Sequence, residues 1–185
     1  MMLFKDQVVA HVGQLRSFAR TMTNGDAALA DDLVQDTVLS ALRHQRQFTE
    51  GTNLKAWLFT ILRNRFRSII GRRHVTAEVG DTDLEHLSWA GPEQEARLEV
   101  AAFKRAFKML PLSQREVLVL VGVHGLPYER VAEICGCEIG TVKSRVSRAR
   151  SQLRQMLLGD DEAPAIVRAI AGRHTTRDDR LGAAT

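Results

Sequence analysis

The chain has 185 residues, 44% of them hydrophobic, and 26 lysines and arginines against 22 aspartates and glutamates give it a net charge of +4. That length suits one medium domain or two small ones. Two cysteines exclude a disulfide framework and no apolar run approaches the roughly eighteen residues of a membrane span, so a cytoplasmic protein without membrane insertion is expected.

Charge is unevenly placed. Residues 76–100 hold seven carboxylates and one arginine, between basic blocks at 31–75 and 101–158. Two basic modules joined by an acidic strip suggest a protein that faces nucleic acid twice.

In chain order, Val8, Val12, Leu15, Ala19 and Met22 predict a first amphipathic helix, stopped by Asn24-Gly25. Asp26 is placed to cap a second helix running to about His44, with Leu33, Val34, Val38, Ala41 and Leu42 inward. The loop QFTEGTN (47–53) interrupts the pattern. Leu54, Trp57, Leu58, Ile61 and Leu62 then form the apolar stripe of a third helix, which puts Trp57 in the core. These helices predict a compact domain over residues 1–74.

Residues 75–92 are acidic and aperiodic, with Gly80, Gly91 and Pro92 as breakers, and read as a flexible linker. A second helical unit is expected over 93–158. Ser113 and Glu116 fit a capping box, Gly125 fits the end of that helix, and Pro127 fits the opening of the next. The tail, 159–185, has mixed charge and suggests no function.

The most telling stretch is Tyr128 to Leu157, a short helix, a glycine turn and a longer basic helix: the layout that sets one helix into the DNA major groove. Ile139, Val142, Val146, Ala149, Leu153 and Met156 mark the inward stripe of the longer helix. At about 100° per residue, Ser144, Ser147, Arg148 and Ser151 then face outward, flanked by Lys143, Arg145 and Arg150. Such side chains suit base edges and phosphates. Cys135 and Cys137, one residue apart with no second pair, are poor zinc ligands even with His124, so turn packing is the better reading and no metal is expected. No P-loop, H-E-x-x-H or G-x-S-x-G occurs, so no enzyme and no cofactor are expected.

With ADDLVQDTVLSALRH (30–44), NLKAWLFTILRNRFRS (53–68), LPLSQREVLVLV (110–121) and YERVAEICGCEIGTVKSRVSRAR (128–150), the chain resembles the extracytoplasmic-function (group IV) sigma factors of bacterial RNA polymerase. FTEGTNLKAWLFTILRN and EICGCEIGTVKSR look most like their general-stress-response subgroup. The resemblance covers about 8–73 and 93–157. It implies an all-α fold of two small domains, sigma region 2 (1–74) and sigma region 4 with its helix-turn-helix (93–158).

It also implies roles for particular residues. Asp31, Asp32, Gln35 and Asp36, beside Leu33, would dock on the polymerase clamp. Phe48, Thr49, Glu50, Gly51, Thr52 and Asn53 would capture an unstacked −10 base, with Asn64 and Arg65 on the following helix, while Lys55, Arg63, Arg65 and Arg67 hold the backbone. Thr141, Lys143, Ser144, Ser147 and Arg148 would contact the duplex −35 element, with Arg145 and Arg150 on phosphates. The implied partners are core RNA polymerase, promoter DNA and an anti-sigma factor. Two other readings stay open: a helix-turn-helix regulator that works without polymerase, and a sigma mimic that sequesters an anti-sigma protein.

Overall fold

A computed structural model describes residues 3–73 and 94–158, with side chains over 3–71 and 99–157, and among these residues every regular element is helical. The expected linker and tail lie outside the described residues.

The first amphipathic segment is two helices, α1 (Phe4–Ala10) and α2 (Val12–Met22), and not one. His11 breaks it: its N–H bonds back to the Val8 carbonyl while its own carbonyl starts the next helix at Leu15. The bend lets α1 pack on both α2 and α3. Asp26 caps α3 (Ala27–Arg43) as expected, accepting the Leu29 N–H at 3.0 Å. Its buried stripe runs through Ala30, Leu33, Val34, Thr37 and Ala41, and the Thr37 hydroxyl donates to the Leu33 carbonyl at 2.7 Å. Leu42, expected inward, is exposed, since it lies a quarter-turn off that stripe.

After a single 3-10 turn, Asn53 accepts the Ala56 N–H at 3.0 Å and opens α4 (Leu54–Arg73). Helix α4 buries two faces. Leu54, Leu58 and Leu62 form one, and Phe59 and Phe66 extend burial to a second, because α4 packs on α2, α3 and α7. Trp57 is half-buried against Phe48 and Phe4.

The second unit comprises α5 (Gln94–Met109), α6 (Leu112–Gly122), α7 (Tyr128–Cys135) and α8 (Ile139–Leu158). The expected Ser113–Glu116 capping box does not form: Pro111 stands at the N-cap without a side-chain bond, and the Glu116 carboxylate turns into a tertiary ion pair. Gly136, at φ +58, ends α7 in the left-handed conformation that glycine adopts at least cost, and its turn leads into α8. Of the predicted α8 stripe, Val142, Val146, Ala149 and Leu153 are buried, whereas Ile139 and Met156 at its ends are exposed.

Both units share one apolar core, with α2 packed on α6 and α4 on α7. Five consecutive residues of α6, Val117 to Val121, are at most 6% exposed. A helix apolar all round must be covered all round. Helix α8 covers one side of α6 and α2 of the first unit covers another.

Candidate nucleic-acid interface and the seam between the units

The outward face of α8 is built as its periodicity requires. Val142, Val146 and Ala149 anchor it to the core, which leaves Lys143, Ser147 and Arg148 exposed and Thr141, Ser144, Arg145 and Arg150 half-buried. Ser144 donates to the Thr141 carbonyl at 3.0 Å, and an Arg148 Nη donates to the Ser144 hydroxyl at 3.4 Å. Arg148 is thereby drawn along the helix while its guanidinium still faces solvent. Arg145 reaches the Cys137 sulfur at 3.9 Å, tying the turn to the helix it precedes. Burial pushes the neighbouring Cys135 thiol up to about 11 (with Glu116 adding to the rise), so it stays protonated at neutral pH. Among the described residues no three His, Cys, Asp or Glu side chains gather to hold a metal.

On the first unit, Thr49 to Asn53 form an exposed loop. Gly51 at φ +85 lets the chain turn back, and Thr52 bonds to the Thr49 carbonyl through both its N–H and its hydroxyl. One end of the loop is fixed by Asn53 at the start of α4. The other is fixed by Phe48, whose ring lies 5.4 Å from Trp57 and 5.8 Å from Phe4. Asn64, Arg65 and Arg67 are exposed farther along α4, with Arg65 loosely paired to Asp36 at 3.9 Å. On α3, Asp32, Gln35 and Asp36 share an exposed face with Leu39, while Asp31 pairs with Arg16 at 2.8 Å. Leu33 is fully buried, which removes it from that exposed face; Leu39, half exposed, is the apolar side chain there.

Two expected DNA contacts are engaged elsewhere. Arg63 is 3% exposed, donating to Glu116 of α6 at 3.2 Å and to the Ile134 carbonyl of α7 at 3.3 Å. The Lys55 ammonium donates to the His124 carbonyl in the α6–α7 turn at 2.9 Å, and partial burial lowers its pKa. Both are thus engaged within the protein. Arg115 of α6 donates to Asn24 at the end of α2, with its pKa lowered by burial and partly restored by Glu116. The His124 ring enters between Phe59, 4.7 Å away, and Phe18, 6.3 Å away. Sequence reasoning missed this seam. Its hydrogen-bonded partners lie 53 to 91 positions apart, beyond any helical or strand period.

The sigma-70 region 2 family matches residues 8–75 and the sigma-70 region 4 family matches 101–153. A protein named ECF RNA polymerase sigma factor EcfG, from Rhodopseudomonas palustris, is 47% identical over 172 residues, covering 91% of this chain and 94% of its own. The chain belongs to the ECF RNA polymerase sigma factors. Two solved structures share the fold. The sigma factor RpoE from Bartonella quintana, crystallised in complex with the anti-sigma factor NepR, is 40% identical with a TM-score of 0.74 and covers 85% of this chain and 98% of its own. CnrH, solved in complex with the cytosolic domain of CnrY, is 27% identical with a TM-score of 0.60 over 85% of this chain and 89% of its own. The region 2 match takes in the end of α1 and all of α2 to α4, and the region 4 match takes in most of α5 and α8 with all of α6 and α7. Arg63–Glu116, Arg115–Asn24 and Lys55–His124 join region 2 to region 4. No helix among the described residues is long and apolar enough to cross a membrane.

Proposed function

We propose that this sigma factor directs core RNA polymerase to promoters of stress-response genes, that an anti-sigma factor restrains it, and that its compact arrangement is the resting form. The chemistry of transcription then belongs to the polymerase. The chain itself supplies recognition in the cytoplasm, with no cofactor or metal of its own. Region 4 reads the duplex −35 element through Lys143, Ser144, Ser147 and Arg148, with Thr141, Arg145 and Arg150 on the backbone. Region 2 holds the melted −10 element through the loop 48–53, Asn64, Arg65 and Arg67. Asp31, Asp32, Gln35, Asp36 and Leu39 dock on the polymerase clamp.

The observation that carries the resting-state reading is the burial of Arg63 and the capture of Lys55 by region 4. Both cations are withheld from DNA until the seam opens. A buried ion pair adds little net stability over an apolar pair, since desolvation offsets most of its Coulomb gain. Such a seam is selective yet separable, which suits a protein that must part its two regions on a larger machine. Support for an anti-sigma partner comes from RpoE, whose solved complex contains one.

Run-off transcription with purified core polymerase on a library randomised at −35 and −10 tests this function. Transcripts from a defined pair of motifs, only when chain and core are both present, are expected. Specific DNA binding without polymerase, and no transcript with it, would favour an ordinary helix-turn-helix regulator.

A further inference from the structure

We propose that His124 is an acid-sensitive plug: protonation of its ring drives region 4 off region 2, so that the protein responds to a fall in intracellular pH. The imidazole belongs to region 4, yet two of its walls, Phe18 and Phe59, belong to region 2. Its Nε2 is buried and has no protein hydrogen-bond partner among the described residues. An N–H at Nε2 would therefore find no acceptor in the slot.

The surrounding charges point the same way. On α4, the Lys55 ammonium is bonded to the His124 carbonyl and lies 5.9 Å from the centroid of Phe59. Phe59, the nearer ring that would offer an imidazolium a cation–π contact, already carries a cation. Also on α4, Arg63 is spent on Glu116 and Ile134. On α6, Arg115 is bonded to Asn24; on α2, Arg20 keeps its Nε buried, and Arg16 turns away to Asp31. On α7, Arg130 and Glu133 pair with each other at the surface. Glu116 is the only carboxylate buried in the seam among the described residues, and Arg63 holds it.

Burial first, and Lys55 second, lower the His124 pKa from 6.5 to about 4 in the closed form. Once the regions separate, the ring meets water and its ordinary value returns. The closed form binds fewer protons, so closure is fully favoured above pH 6.5, weakens as pH falls through 6.5, and reaches its floor near pH 4. Between pH 7.0 and 5.5 the closed-to-open ratio falls about eight-fold. The acid-opened chain frees Lys55 and Arg63; that this promotes initiation rests on the resting-state reading above.

The test is amide hydrogen exchange and imidazole NMR on the full chain, comparing wild type with His124→Phe, and with His124→Gln should the phenylalanine not fold. In the wild type, the resonance lost in the variant titrates well below the ordinary histidine range. Protection of amides from Val119 to Leu126, corrected for intrinsic rates, falls about eight-fold from pH 7.0 to 5.5. Amides of α3 keep theirs, and the variant shows no such fall. An ordinary histidine midpoint overturns the proposal, as does equal loss of protection in the variant or equal loss in α3. Run-off transcription at the two pH values separates the layers: seam opening without a gain in initiation overturns the resting-state reading and leaves the plug standing.

Discussion

Arg148 and Arg63 carry the same charge on similar helices, and their surroundings give them opposite tasks. Arg148 stands on the open face of α8, one turn beyond Ser144. A bidentate contact with a guanine is worth about 1–3 kcal/mol of discrimination. Arg148→Ala is therefore expected to lower promoter-specific transcription about five- to 150-fold while polymerase binding is kept; equal use of the promoter by the variant would remove Arg148 from recognition. Arg145→Ala, a backbone contact in this reading, should weaken binding to all sequences alike and flatten the salt dependence of binding. Arg63 instead depends on Glu116. Taking away one partner of a buried pair costs about 3–5 kcal/mol, since the other is left charged and dry. Glu116→Ala is expected to expand the free chain in small-angle scattering with its helical circular dichroism retained. A variant as compact as the wild type would show that the ion pair does not govern closure.

Among the elements, the loop 48–53, proposed to hold the −10 element, shows how a short exposed segment can be held in shape. Phe48 sits at its entry, Asn53 caps α4 at its exit, and Phe4 of α1 packs on both Phe48 and Trp57. Each aromatic pair contributes about 0.5–1.5 kcal/mol beyond the area it buries. Phe4→Ala is expected to reduce discrimination between correct and altered −10 single strands several-fold, with Phe4→Leu intermediate, while −35 binding is unchanged. Unaltered discrimination would mean that the loop holds its shape without α1. Element positions were legible wherever one face alone was buried: the α8 stripe through Val142, Val146, Ala149 and Leu153, the Asp26 cap and the Cys135-Gly136-Cys137 turn follow from period and local chemistry. The break at His11 was not legible, because Val8, Val12 and Leu15 keep helical spacing across it. The Ser113–Glu116 capping box had the right spacing, but a tertiary partner claimed the carboxylate.

For the whole molecule, the two units were legible from charge and motif, but their contact was not. Periodicity assigns a residue to a face of its own helix and says nothing of what will cover that face. Arg63, Phe59 and Phe66 lie on the side of α4 next to its leucine stripe, and packing against α2 and α7, with Glu116 of α6 on Arg63, decides their burial. Exposed pairs such as Arg16–Asp31 and Arg65–Asp36 contribute at most about 1 kcal/mol each, so they do not decide the arrangement. Apolar closure of α6 against α2 does, and in the proposed cycle the polymerase replaces or outweighs it. In that cycle the sigma factor is closed alone and open when it initiates. Energy transfer between probes at Lys5 and Gln155, read in the free chain and in a transcribing complex with core polymerase, tests this most directly. High transfer alone and low transfer in the complex is the predicted result; a complex that makes transcript with transfer as high as in the free chain would contradict it.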